Sequence, residues 1–204
     1  MRLTAHKASV AGVHGPLLLP TSLEAAGGEV TLVAGDPGHG HVALALALGG
    51  RAELASGSIT LDGDAGPRLR RRHVALVDVP DVTSPDDAPS VRGVLAEELA
   101  LAGLPSGRRA GTRFLVERNA GYLATRRFEH VPGHQRTAWL MEIAAQRPDV
   151  QVLVVAHPDR FGGDPHRWWE AARTLAGQGL TVIVQCTHAT ARQLGHDDAY
   201  ELGA

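Results

Sequence analysis

Apolar residues in this chain fall into short unbroken runs that alternate with segments of helical period. Residues 1–63 carry the first strands, of which 29–34 (Glu29-Val30-Thr31-Leu32-Val33-Ala34) is the clearest. Residues 42–48 read as a buried helix closed by Gly49 and Gly50. A further strand, 73–79, runs into the Pro- and Asp-rich stretch 80–89, which marks a lobe boundary. From 91 to 128 the pattern is helical, with a loose connector at 103–111, and 135–146 forms a helix burying Trp139, Leu140 and Ile143. Two more apolar strands, 151–155 and 180–186, flank a helix whose Trp168 and Trp169 pack against a sheet. There is no internal repeat and no low-complexity tract. The alternation predicts one α/β domain over 1–204, with a core lobe at 1–80 and 147–204 and a reduced helical lobe at 81–146.

Between the clearest strand and its helix stands Gly35-Asp36-Pro37-Gly38-His39-Gly40-His41-Val42, which has the glycine spacing of a phosphate-binding loop. In G-x-x-x-x-G-K-S/T, backbone N–H groups curl around phosphates at a helix N-terminus, the lysine neutralises the β/γ charge, and the hydroxyl holds Mg²⁺. Here His41 and Val42 take the lysine and hydroxyl positions. A cation on His41 would be favoured by a phosphate and opposed by the positive helix terminus, so residual anion binding is expected to strengthen as pH falls toward about six. Glycine-rich turns of this kind also serve as plain tight connections, and spacing alone leaves both readings open.

The other segments resemble one family, the nucleotide-binding subunit of ABC transporters. Ser56-Gly57-Ser58-Ile59-Thr60-Leu61-Asp62-Gly63 follows the loop helix as that family's "sGsI-x-l-dG" strand does, and Pro89-Ser90-Val91-Arg92-Gly93-Val94-Leu95 sits where it has "lTVrENl". Val131-Pro132-Gly133-His134-Gln135-Arg136 is similar to the LSGGQR signature, so Gly133, His134, Gln135 and Arg136 are signature-like positions. Residues 147–158, ending in Val155-Ala156-His157-Pro158, resemble the Walker B strand, and residues 181–188 the strand that ends in the switch histidine, His188. The resemblance runs over nearly the whole chain in the family's order. It implies a P-loop NTPase-like ABC ATPase core, a mixed sheet with flanking helices, and a reduced helical subdomain of the kind that receives a membrane subunit's coupling helices.

The departures from the family pattern are chemical. Ala156 replaces the Mg²⁺-ordering carboxylate, His157 the general base and Pro132 the signature serine; no glutamine occupies the Q-loop region, and Asp164 matches the D-loop aspartate only with one residue inserted. His188 keeps its family identity, which leaves His188 and His157 as the candidate catalytic residues. His157 reads more simply as a histidine facing an emptied cleft. A charge-assisted hydrogen bond contributes about 1.5–3 kcal/mol, and about 1.4 kcal/mol is tenfold, so the losses would weaken triphosphate binding by several powers of ten. ATP is expected to bind weakly or not at all, Mg²⁺ to lack its ligands, and hydrolysis to be slow or absent. The leading expectation is a pseudo-ATPase that is a structural or regulatory partner of an integral membrane permease or other membrane protein. The alternatives are a working ATP-binding subunit, paired with itself or with a catalytic ABC-type subunit, and a soluble regulator that kept the fold. Location in the cytoplasm, peripheral on the inner face of the cell membrane through that partner, follows from the resemblance.

A formal net charge of −2 gives no basic field for nucleic acid. The densest basic run, Arg68 to Arg72 with four arginines, reads as a solvated surface. The one cysteine, Cys186, lies in an apolar strand as a small buried hydrophobe. Among eleven histidines, His39 with His41 and His130 with His134 have ligand-like spacing, but neither pair has a local third ligand and no metal site is expected. No stretch reaches membrane-spanning length and no secretory h-region opens the chain.

Overall fold

The computed structural model describes residues 1–203 and places them around two sheets. β1 (Leu3–Gly12) and β2 (Gly15–Ala25) form an antiparallel hairpin. β3 (Val30–Ala34) then leads into α1 (His39–Leu48), and β4 (Ser56–Leu61) returns to pair with β1, giving a three-stranded antiparallel sheet in the order β2-β1-β4. Next come α2 (Pro67–His73) and β5 (Val74–Val77), followed by the helices α3 (Val91–Leu101), α4 (Arg108–Glu117) and α5 (Gly133–Ala145). The last third holds β6 (Val152–Ala156), α6 (Pro165–Gly177), β7 (Thr181–Cys186), α7 (His188–Gln193) and the short β8 (Tyr200–Glu201). The parallel sheet runs β5-β6-β7-β3-β8.

Strands β5, β6 and β7 are buried at every position, because helices and the second sheet cover both faces. Alternate residues therefore feed different cores. Val182, Val184 and Cys186 join α3, α4, α5 and α6 on one side, while Val33, Val154 and Ile183 join α1 and the antiparallel sheet on the other. The helical segment shares the first of these cores without a break: Leu95, Leu115, Phe128 and Met141 pack in the same cluster as Leu153 and Trp168. Trp139, Leu140, Ile143, Trp168 and Trp169 are all buried, as the sequence pattern indicated. Among the described residues no helix is long and apolar enough to cross a membrane.

Three local expectations are corrected. The helix after the glycine loop begins at His39, three residues before the apolar run, because His39, Gly40 and His41 carry no hydrophobic signal, although His41 is buried. The helical pattern at 91–128 ends at Glu117, and beyond it only two short 3₁₀ turns, Gly121–Leu123 and Phe128–His130, remain. The arginine run is not a solvated surface throughout. It forms α2, in which Arg70 is buried and donates to the carbonyls of Ile59 (2.6 Å) and Ala65 (2.8 Å), and Arg71 donates to the Gly50 carbonyl (2.6 Å). Periodicity does not reveal this, because the guanidinium groups reach carbonyls of one strand and two loops outside the helix.

Cys186 is buried, and burial together with the nearby Asp159 carboxylate pushes its thiol up to about 12. The native chain should therefore resist labelling by an aromatic disulfide at pH 8 and react stoichiometrically only after unfolding, which an absorbance assay with and without denaturant would check.

Candidate functional site

The glycine loop lies at the C-terminal edge of β3, with the Gly35 N–H donating to the Cys186 carbonyl (3.0 Å) and α1 rising from it. Asp36, Pro37, Gly38 and His39 are exposed, and α1 has no side-chain cap, so the first turn presents free N–H groups to solvent. None of Gly35, Gly38 and Gly40 has a positive φ in the left-handed region. Gly35 is required by close packing instead: a Cβ there would lie 2.6 Å from the Leu202 Cβ, whereas one on Gly40 would come within 3.3 Å of only the Leu202 Cδ2. The chain after β8 holds Leu202 there, its N–H bonded to the Ala34 carbonyl (2.8 Å).

His41 does not point at the loop's mouth. It is fully buried, and its ring packs edge-on against His157, with centroids 3.8 Å apart and an interplanar angle of 75°. Thus the residues at the lysine and general-base positions meet each other. Gln185 completes the cluster. In the sheet register it lies between Ala156 on β6 and Val33 on β3, and strand alternation puts it on the α1 face with Ile183. Both imidazole nitrogens of His41, the Nε2 of His157 and both amide atoms of Gln185 are buried without an aligned hydrogen-bond partner.

Burial pulls the His41 pKa down to about 4, and repulsion from His157 adds to this; the Asp36 and Gly35 carbonyls and the Gln185 amide pull weakly the other way. Protonation near pH six, expected from the sequence, is therefore overturned. The helix-terminus argument considered an exposed imidazole, whereas this one would have to ionise inside the core. Because the unfolded chain takes up this proton near 6.5 and the folded chain only near 4, stability should fall as pH drops through that window, by about 3 kcal/mol in total. Urea titrations at pH 7 and pH 4 would measure it, and His41→Gln should remove that part of the pH dependence.

His157 occupies a left-handed backbone conformation (φ 51°), its N–H bonded to the Gln185 carbonyl (3.0 Å), and this turn brings its Nδ1 to 3.3 Å from the Asp159 Oδ1. Burial alone would raise the Asp159 pKa. His157, the Thr187 N–H (2.9 Å), and the Thr190 and Thr187 hydroxyls (2.8 Å each) outweigh it and hold the carboxyl well below its usual range. Asp159 thus ties the turn after β6 to the start of α7. His188 opens that helix half-buried, with its Nε2 3.3 Å from the Glu201 Oε1. Val42 is half-buried on α1 and offers no hydroxyl.

The signature-like residues open α5, with Pro132 before them. Gly133 lies where a Cβ would come within 2.7 Å of the Phe161 Cβ, which accounts for that glycine by packing. The His134 pKa is lowered, first by burial and then by Arg167. His130 closes a 3₁₀ turn and His134 starts a separate helix, so their four-residue spacing is not one helical face. Asp164 caps α6, accepting from the His166 N–H (3.0 Å).

Arg136 is turned inward. It donates to both oxygens of Asp78 (3.1 and 3.2 Å), to Asp87 and to the Ser84 hydroxyl (3.0 Å), between the rings of Phe128 and Phe161. Arg160 joins from the turn after β6, 2.8 Å from Asp78, and also donates to the Ala156 carbonyl (2.7 Å). A buried ion network therefore ties the loop after β5 to α5 and to the turn after β6. Gln185, Asp159, Arg160 and Asp78 are functional-site neighbours that motif reading misses. A polar residue inside the apolar run 181–186 is the signal that singles out Gln185.

Comparison with solved structures gives this architecture a class. A nucleotide-free ATP-binding cassette from an ABC transporter superposes with a TM-score of 0.68 at 16% identity, covering 99% of this chain and 88% of its own. A Pyrococcus furiosus protein assigned as an ABC-transporter ATP-binding protein gives 0.66 at 14%, covering 92% of each. An ATP-binding subunit of an ABC transporter gives 0.64 at 18%, covering 95% of this chain and 82% of its own. The chain has the ATP-binding-cassette fold. Its sequence matches no protein-family model and no curated protein.

Proposed function

We propose that this chain is a degenerate ABC-type subunit that does not turn over ATP and acts as a structural or regulatory partner of a membrane protein. The observation that carries this reading is the edge-on pair His41 and His157, each side chain at a position that should face triphosphate or attacking water and each buried against the other. Phosphoryl transfer needs cations and a metal around the developing charge. Here the lysine position holds a neutral imidazole at pH 7, the metal position holds Ala156, and the signature arginine is bound by Asp78.

The partner would engage the cleft between the loop after β5 and helices α3 and α5, about 160 Å³ in volume. It is lined by Val82, Thr83, Glu98, Leu101, Ala144 and Arg147. Leu101 and Val82 are solvent-exposed there, and burial next to Glu97 and Asp78 raises the Glu98 pKa to about 7. A steady-state phosphate-release assay with Mg-ATP on the purified chain tests the reading. No rate above the protein-free blank is expected, and sustained turnover abolished by Ala substitution of both His157 and His188 would overturn it.

A further inference from the structure

We propose that the outward face of α4, together with Arg92 of α3, docks an acidic, partly apolar helical segment of a partner protein. Arg92, Arg108, Arg109 and Arg113 surround one shallow groove of about 660 Å³ that also includes Thr112 and Val116. Arg109, Thr112, Arg113 and Val116 recur at i, i+3, i+4 and i+7, a single stripe, while Ala110, Gly111, Phe114 and Leu115 form the buried face of the same helix. Gly111 lets the two helices touch, since a Cβ there would collide with the Arg92 carbonyl, and this close approach sets Arg92 beside the α4 arginines.

The positive charge contributes little to the fold. Among the described residues, Arg113 makes one long, exposed i, i+4 pair with Glu117 (4.0 Å), and Arg92, Arg108 and Arg109 make none. Arg108 and Arg109 stand in the first turn of a helix with no acidic residue there and no side-chain cap, where the macrodipole favours negative charge. Arg109 and Arg113 also repel one another at i, i+4. Local rules broken without a local gain point to a use outside the chain.

The occupant follows from the chemistry. Guanidinium groups take carboxylates in pairs of parallel hydrogen bonds, and their stems leave an apolar strip. Val116 is 60% exposed within that strip, and Tyr122, a few residues on, is exposed as well. Phosphate groups of a nucleic acid would meet the charges and leave the apolar strip uncovered, whereas a helix alternating acidic and leucine positions covers both. The surface is separate from the cleft assigned above, because Arg92 lies about half a turn around α3 from Leu101.

The test uses the full chain and four probes, by fluorescence anisotropy or co-sedimentation: a synthetic Glu/Leu amphipathic helix, its Lys/Leu counterpart, phosphatidylserine vesicles and a single-stranded RNA. The Glu/Leu helix should bind, weaken several-fold from about 0.05 to about 0.3 M salt, and lose at least about tenfold in affinity in Arg109→Glu/Arg113→Glu, with circular dichroism unchanged. Arg167→Glu, an exposed reversal on α6, should bind like the native chain. Equal binding by native and double-reversed chains would overturn the proposal. So would tighter capture of the vesicles or the RNA through the same arginines.

Discussion

Asp78→Ala should lower the free energy of unfolding by about 3–5 kcal/mol, the range seen when one partner is removed from a buried charge network. Asp78 and Arg136 are each 2% exposed, and Asp78 also receives Arg160 and the Ser84 hydroxyl (2.9 Å). Without the carboxylate two guanidinium groups face each other across a site that water reaches poorly. Arg136 keeps the more exposed Asp87, the Ser84 hydroxyl and a long bond to the Pro85 carbonyl, and Arg160 keeps the carbonyls of Ala156 and His157 and the Ser84 hydroxyl. Because the penalty comes from stranded charge, Asp78→Ala combined with Arg136→Met should cost less than the sum of the two single changes, a coupling that urea melts of all four chains would resolve. A loss below about 1 kcal/mol in the single variant would mean that the pairs are solvated and that the loop after β5, α5 and the turn after β6 are held by apolar packing alone.

This network also explains what was legible in the sequence and what was not. Strands such as 151–155 and 180–186 are readable because a parallel sheet covered on both faces demands unbroken apolar runs, and the order of such runs identifies the fold. The glycine loop is legible as spacing, yet its first glycine, Gly35, answers to Leu202, which comes from far along the chain. His41 and His157 are legible as substitutions but not as contacts, since only the fold brings α1 over the end of β6. Arg136 reads as a signature residue, and nothing near it in sequence announces Asp78, 58 positions earlier. Long-range polar pairing has no period, so it escapes any reading that depends on period.

A lysine at position 41 should not by itself restore nucleotide binding. In His41→Lys the ammonium would either be buried against His157 and Gln185 without a carboxylate to balance its charge, or be driven outward at the expense of the packing under α1. The expected result is ATP affinity within about twofold of the native chain and a lower unfolding midpoint. The combined variant His41→Lys, Val42→Thr, Ala156→Asp and His157→Glu differs in kind. Removing the imidazole at 157 frees the space that the lysine stem needs, while the carboxylate introduced at position 156 and the hydroxyl introduced at position 42 together supply the metal's two protein ligands. Two regained charge-assisted contacts at about 1.5–3 kcal/mol each predict at least about a hundredfold tighter Mg-ATP binding by calorimetry. Adding Gln185→Val separates loss from obstruction. If the closed cluster itself holds nucleotide out, the fifth change should tighten binding further, because Gln185 presses on the same space from β7. If only the missing ligands matter, it should leave affinity unchanged, and the cradle would then count as stripped of its ligands but still open.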